Sequence, residues 1–264
     1  MIVDTHAHLN TDDFKNDLKS ILDRAKSNGI EKIICIGMDE SSNHLAIEIA
    51  KNHEMVFSTV GVHPGYVDTS TTDHLESLLH HDKIVGIGEC GLDFYWRKDN
   101  IELQKKVFQE HIELAVKTKL PLVIHTRDSF TEAYEMLLPY KGKVTGVFHC
   151  FSSDYKDAKK AVDLGFYIGM DGPITFKKNE ILVEIVSHID LNYILVETDS
   201  PYMAPTPYRG KRNEPGYTKY VVEKIAEIKG LTVEEVSRIT TKNAHELFHL
   251  GGYKAWRKKY FIYY

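Results

Sequence analysis

Apolar residues along the chain fall into eight short runs that are separated by segments with helical spacing. The runs are rich in β-branched residues and almost continuously apolar, which is typical of parallel strands covered on both faces. They predict strands over 1–6, 32–37, 55–61, 83–88, 120–126, 143–149, 165–170 and 192–198.

The segments between these runs favour amphipathic helices. Phe14, Leu18 and Ile21 mark one face of the first, and apolar residues recur at the same spacing over 103–114 and 221–228. A strand and a helix alternating eight times predict an α/β fold of the (β/α)8 TIM-barrel type. A doubly wound open sheet is the alternative, but no glycine-rich phosphate turn follows the first predicted strand.

The barrel pattern extends over residues 1–250 and then stops at a double glycine. A chain of this length is compatible with one domain, because barrels of this kind commonly form a single unit. The tail over 251–264 contains basic and aromatic residues and is assigned no role.

Composition narrows the class of protein. A formal charge of −5 does not suggest a general polyanion binder, so any contact with nucleic acid has to be local. Three cysteines in or beside apolar runs are better explained as reduced thiols than as a disulfide framework. With no secretory signal and no apolar run of membrane-spanning length, we expect a cytoplasmic protein with no membrane contact and no obligate protein partner.

Metal-competent side chains stand at the ends of most predicted strands, where TIM barrels carry their chemistry. A single histidine there is more often structural, and a single aspartate is usually a helix cap. Placing six such groups together at one rim without a cation would be electrostatically costly, so together they predict a metal site. Four imidazoles and two carboxylates exceed what one ion needs and fit two, with Glu89 as the natural bridge. The six residues are His6, His8, Glu89, His125, His149 and Asp199.

Several motifs occur in the order of a known family. They are VDTHAHL, GVHP, GIGECGLDFYW, IHTRD, FHCFS, ETDSPY and APTPYRGKRNEP. Together they resemble the motif set of the TatD family of metal-dependent deoxyribonucleases, in the amidohydrolase superfamily of distorted TIM barrels. The similarity runs from residue 2 to about residue 248, and Cys90 stands where an aliphatic residue is commoner.

The resemblance implies a role for each rim residue. One ion would be held by His6, His8 and Asp199. Glu89 would bridge it to a second ion held by His125 and His149.

The resemblance also implies that Asp199 is the general base and that Glu89 takes part in catalysis as the bridging carboxylate. His63 would lie near the substrate phosphate rather than act as a primary ligand. The alternative for His63 is a structural turn before Pro64.

Cationic side chains near the rim are candidates for binding phosphate, since guanidinium groups match its geometry. The alternative is a solvated basic turn. The candidates are Arg127, Arg209, Lys211 and Arg212.

Neighbours of the predicted ligands suggest further roles. Tyr95 and Trp96 are expected to pack under the fourth strand's loop, although stacking on a splayed base is the other possibility. Asp4 and Glu197 are candidates for orienting the ligands.

Two cysteines directly follow predicted ligands. By strand alternation, Cys90 and Cys150 are expected to point to the opposite face as core thiols.

The sequence thus predicts a hydrolase that cleaves DNA phosphodiester bonds in single strands or at strand ends, with two divalent ions activating water, and we expect it to act as an exonuclease. Mg²⁺ or Mn²⁺ is expected for activity, and the mixed ligand set also admits Zn²⁺, Fe²⁺ or Ni²⁺. The alternatives are an amidohydrolase that acts on a small amide, lactone or phosphoester, and a binding barrel without catalysis.

Overall fold

Eight parallel strands in sequence order form one sheet in a computed structural model that describes residues 1–250. The strands are β1 (Ile2–Ala7), β2 (Ile30–Ile36), β3 (Val56–Val60), β4 (Ile84–Asp93), β5 (Leu122–Arg127), β6 (Gly146–Phe148), β7 (Tyr167–Met170) and β8 (Ile194–Val196). Since every strand pairs with the next one in sequence, the TIM-barrel prediction is confirmed and the doubly wound order is excluded.

Helices alternate with the strands around the outside of the barrel. They are α1 (Leu18–Ser27), α2 (Glu40–Asn52), α3 (Leu75–Leu78), α4 (Ile101–Thr118), α5 (Phe130–Leu137), α6 (Tyr155–Leu164), α7 (Glu180–His188), α8 (Thr218–Lys229) and α9 (Val233–Leu247). Their apolar faces pack against the outer faces of the strands in one large core.

The barrel is nearly closed where the chain leaves β8 and passes beside β1. Ala7 and Ser200 form a parallel bridge there. The backbone N–H of His8 donates to the carbonyl of Ser200 at 2.7 Å, and that of Asp199 donates to the carbonyl of His6 at 2.9 Å. These bonds hold the first and last predicted ligands side by side, although they are almost 200 residues apart.

A second apolar cluster fills the N-terminal half of the barrel interior. Val3, Val85 and Leu195 point inward from their strands and pack with Leu247 and Phe248 at the end of α9. This helix therefore closes one end of the barrel, so the polar rim at the strands' C-terminal ends is the end left for chemistry.

Strand lengths differ from the prediction where polar residues continue the hydrogen-bond ladder. β4 runs on to Asp93 and β5 to Arg127, and these two residues are register partners. β6 and β8 are shorter than predicted, with three residues each. The extra length of β4 and β5 carries functional groups beyond the apolar runs that mark the strands.

No helix within residues 1–250 is long and apolar enough to cross a membrane. The tail over 251–264 lies outside the described residues.

Candidate metal centre

Two histidines at the end of β1 turn their rings into the barrel. A register shift between Asp4 and Ala7 interrupts regular pairing with β2 at this point. The Nε2 atoms of His6 and His8 lie 3.2 Å apart, and both rings are buried. Two ring nitrogens this close together could both ligate one metal ion.

Glu89, buried on β4, directs its two oxygens to two different groups of imidazoles. Its Oε2 lies 3.4 Å from His6 Nε2 and 3.6 Å from His8 Nε2. Its Oε1 lies 3.2 Å from His125 Nδ1 and 2.8 Å from His149 Nε2. The predicted bridging position of Glu89 thus corresponds to a carboxylate with one oxygen facing each group.

Asp199 completes the group around His6 and His8 from the loop after β8. Its Oδ1 lies 3.2 Å from His8 Nε2 and 3.5 Å from His6 Nε2. Its backbone has a φ of 54°, a left-handed conformation that aspartate and asparagine adopt more readily than most residues. The Asp199 side chain is 14% exposed against 3% for Glu89, so water reaches Asp199 more readily.

His63 lies at the edge of the second group. Its Nε2 is 3.5 Å from Glu89 Oε1, and its ring centroid is 4.6 Å from that of His125. Its Nδ1 also accepts from the N–H of Gly65, as a residue before a tight turn does. His63 therefore belongs to the turn and also faces the site.

The donor set fits divalent ions. Nitrogen lone pairs and carboxylate oxygens converge within 4.8 Å in overlapping groups such as His6, His8 and Glu89. Glu89 Oε2 is buried without a hydrogen-bond partner in the described part of the chain. Burying such groups together costs free energy that a cation offsets, and imidazole with carboxylate suits zinc, iron, nickel or manganese.

Electrostatics keep both carboxylates ionised. Burial alone would raise the pKa of Glu89, but the surrounding imidazoles, His149 foremost, outweigh burial and hold the pKa well below its ordinary value. Burial would likewise raise the pKa of Asp199, but the contact with His8 outweighs it and lowers the pKa. Burial lowers the pKa of His63 to about 3, so this ring is neutral at physiological pH.

Two further carboxylates face the outer nitrogens of the ligand rings. Glu197 lies 3.6 Å from His149 Nδ1 and accepts from the N–H of Cys150 at 2.6 Å. Asp93 lies 3.0 Å from His125 Nε2. Glu197 is one of the two residues predicted for this role, whereas Asp93 was not predicted, because it lies beyond the predicted end of the fourth strand.

Asp4, the other residue predicted to orient ligands, acts on the backbone instead. Its carboxylate accepts from the N–H groups of His6 and Thr198 and from the Thr198 hydroxyl. It thus braces the two chain segments that carry His6 and Asp199.

The two cysteines behave differently from each other. Cys90 is buried in the core, as predicted. The prediction for Cys150 is wrong, because its Sγ lies 3.3 Å from Asp171 and close to Asp199, on the site's side. Its φ of 42° breaks the strand alternation on which that prediction rested.

The predicted phosphate contacts lie in different environments. The Arg127 guanidinium lies 4.2 Å from the Tyr95 ring centroid, and that of Arg209 lies 4.3 Å from the Phe176 ring. Lys211 is exposed.

Arg212 is engaged elsewhere. Its guanidinium donates to the carboxylate of Asp17 at 2.6 Å and to the carbonyl of Asp13. Because Arg212 pairs with Asp17 in the turn before α1, it is less available to a ligand than Arg127 is.

The packing expected for Tyr95 and Trp96 is wrong. Tyr95 is 49% exposed and Trp96 is 68% exposed. Both lie in the turn that follows β4, where their backbone N–H groups donate to the carboxylate of Asp93.

Comparisons with known proteins agree with this geometry. The family model described as TatD related DNase matches residues 3–249. The uncharacterized metal-dependent hydrolase YabD of Bacillus subtilis is 40% identical over 95% of this chain and 100% of its own. The uncharacterized metal-dependent hydrolase YcfH of Escherichia coli is 35% identical over 94% of this chain and 96% of its own.

A solved structure supports the same relationship. YJJV, a TatD homologue from Escherichia coli, superposes with a TM-score of 0.89 at 26% identity, over 94% of this chain and 98% of its own. The barrel, the rim of imidazoles and carboxylates, and the match across residues 3–249 lead to one conclusion. The chain belongs to the TatD family and is a metal-dependent hydrolase.

Proposed function

We propose that this hydrolase cleaves phosphodiester bonds of DNA, in single strands or at strand ends, using two divalent ions. The observation that carries the proposal is Glu89, whose two oxygens face separate groups of imidazoles. Two ions bound there would lower the pKa of water and stabilise the attacking and leaving oxygens of a phosphoryl transfer.

The proposed ligands form two sets, one for each ion. His6, His8 and Asp199 would hold one, and His125 and His149 the other. Glu89 would ligate both. Mg²⁺ or Mn²⁺ is proposed for activity, because carboxylates and phosphate oxygens suit these ions, while Zn²⁺, Fe²⁺ or Ni²⁺ would suit the imidazoles.

Asp199 is the proposed general base. It is ionised, and its side chain is more exposed than that of Glu89, so it is the carboxylate that can take a proton from an attacking water. His63, neutral at physiological pH and facing Glu89, would contact the phosphate rather than hold an ion.

A basic cavity beside the rim supports a polyanionic substrate. It measures about 660 Å³, and its lining includes Arg209, Lys177, Lys178 and Phe176. Since the chain has a net charge of −5, this local concentration of cations is what attracts DNA to the rim.

Arg127 and Lys211 are further proposed contacts to phosphate. Arg212 would join them only if its pairing with Asp17 opens.

A cytoplasmic location and the absence of an obligate protein partner remain parts of the proposal. The three cysteines are unpaired, two of them buried, as expected in a reducing compartment.

The test is hydrolysis of an end-labelled single-stranded oligonucleotide by purified protein. We expect cleavage with Mg²⁺ or Mn²⁺ and none with excess chelator. Asp199→Asn should lower kcat by at least about 100-fold, the usual contribution of a general base, with an unchanged melting temperature because asparagine tolerates the same backbone conformation.

The paired control is Asp154→Asn, an exposed helix cap where asparagine serves equally well. No cleavage of any DNA, together with turnover of an amide, lactone or small phosphoester, would replace this proposal with the amidohydrolase alternative. A protein that binds no metal and turns nothing over would instead be a binding barrel.

A further inference from the structure

The loop that leaves β4 places two aromatic side chains in solvent beside the candidate metal centre. Tyr95 and Trp96 are 49% and 68% exposed, and their rings meet edge to face at a centroid distance of 4.8 Å. The proposed chemistry at the ions uses neither ring. Adjacent exposed aromatics at the mouth of a site are characteristic of surfaces that bind another planar group.

A guanidinium group extends this aromatic surface. Arg127, at the end of β5, lies 4.2 Å from the Tyr95 centroid and 5.4 Å from the Trp96 centroid. None of the ion pairs among residues 1–250 includes Arg127, so no carboxylate there neutralises its charge. We call Tyr95, Trp96 and Arg127 the aromatic platform.

Hydrogen bonds hold the backbone that carries the two aromatic rings in place before any ligand arrives. One oxygen of Asp93 accepts from the backbone N–H of Tyr95 at 3.0 Å and from that of Trp96 at 2.9 Å. The next residue, Arg97, pairs with Asp68, and its carbonyl accepts from Gln104. A surface that is already ordered loses little conformational entropy on binding.

The same aspartate connects the platform to the ions' ligands. The second oxygen of Asp93 lies 3.0 Å from Nε2 of His125, whose Nδ1 faces Glu89. Arg127 follows His125 by two residues on β5. The platform therefore adjoins the second group of imidazoles and lies across the barrel mouth from the basic cavity next to β7 and β8.

We propose that the aromatic platform is a stacking subsite for an unpaired nucleobase next to the scissile phosphate. The proposal rests on the nuclease function proposed above. The base stacks on the face of Trp96, whose ring Tyr95 contacts edge to face, while Arg127, over the Tyr95 ring, meets the neighbouring phosphate. Every base has a flat face, so the subsite tolerates all four, but it excludes a base that is stacked and paired in a duplex. It thus selects single strands and frayed ends.

Fluorescence tests the contact without turnover. Trp96 and Trp256 are the only tryptophans of the chain, so Trp256→Phe leaves Trp96 as the single reporter. We expect phosphorothioate oligothymidylate, which resists hydrolysis, to quench Trp96 in the Mg²⁺-loaded protein. The same backbone with abasic sugars should not quench it.

Kinetics with single-stranded oligothymidylate test the consequence. Tyr95→Ala and Trp96→Ala should each raise KM about tenfold or more, with kcat within about threefold of wild type, since stacking contributes mainly to binding. Trp96→Phe, which keeps a flat ring, should recover most of the affinity. Tyr193→Ala is the matched control, because Tyr193 is an exposed aromatic just before β8, at the opposite end of the barrel.

The outcomes separate the two proposals. Unchanged KM in both alanine variants of an active nuclease would overturn the subsite and leave the nuclease function standing. Quenching without any DNA cleavage would overturn the nuclease function and, with it, the position of the subsite beside a scissile phosphate, while still showing that the platform binds bases. Equal quenching by the thymidylate and abasic strands would also overturn the subsite, because it would show that the backbone alone is bound.

Discussion

Replacing Asp93 with asparagine should weaken binding of the second ion by moving a proton on His125. Asp93 accepts at Nε2 of His125, which keeps the proton there and leaves Nδ1 free to ligate beside Glu89. The other Asp93 oxygen accepts from the N–H groups of Tyr95 and Trp96. Asparagine must keep its oxygen on those donors, so it presents its NH₂ to Nε2 and forces the proton onto Nδ1, the ligand atom.

The size of the effect follows from the lost hydrogen bond. A hydrogen bond to a charged group contributes about 1.5–3 kcal/mol. At about 1.4 kcal/mol per factor of ten, this corresponds to roughly 10- to 150-fold in affinity. We therefore expect Asp93→Asn to weaken the second Mn²⁺ site by about 10- to 100-fold, the range typical of residues that support a metal ligand. The first site should keep its affinity.

Calorimetric titration with Mn²⁺ measures both sites in one experiment. The matched control is Asp190→Asn, which makes the same charge change at an exposed turn just before β8, at the opposite end of the barrel. Asp93→Asn should melt within a few degrees of wild type, since the hydrogen bonds to the loop survive. Two Mn²⁺ ions bound to Asp93→Asn with wild-type affinities would refute the tautomer argument.

Two further predictions concern the scaffold of the site. Gly91 has a φ of 123°, and a Cβ there would overlap the carbonyl oxygen of His125. In urea denaturation, Gly91→Ala should lower the free energy of unfolding by at least about 2 kcal/mol. Gly142→Ala should lower it less, because φ is also positive at Gly142 but the space around it is open. Equal losses in the two variants would contradict the steric argument. Burial of His111, whose Nε2 accepts from the N–H of Val62, lowers its pKa from 6.5 to about 4, so the folded protein disfavours the protonated ring. The contribution of His111 to the free energy of unfolding is therefore full above pH 6.5 and is lost as the pH falls towards 4. Between pH 6.5 and pH 4, the free energy of unfolding should therefore fall by up to about 3 kcal/mol more in wild type than in His111→Gln. If the two proteins instead lose the same amount over this range, the ring does not titrate in this way.

Strand alternation made much of the rim predictable. Parallel strands end at one edge, so polar residues after successive apolar runs had to converge there. His6 and Asp199 meet for this reason, although most of the chain separates them. The position of Glu89 midway round the barrel likewise indicated a bridge.

Departures from regular backbone geometry were not predictable in the same way. Cys150 turns towards the site because its φ is 42°, and nothing in a strand pattern signals a left-handed residue. Asp93 was missed because β4 continues past the apolar run that marked it. The pairing of Arg212 with Asp17 depends on how two distant loops pack, which no local pattern records.

Crystals soaked in Mn²⁺ show directly, through anomalous difference density, whether two ions share Glu89. We expect two peaks roughly 3.5–4 Å apart, one on each side of the Glu89 carboxylate. A single peak, or two peaks without Glu89 between them, would contradict the sharing of Glu89 by two ions.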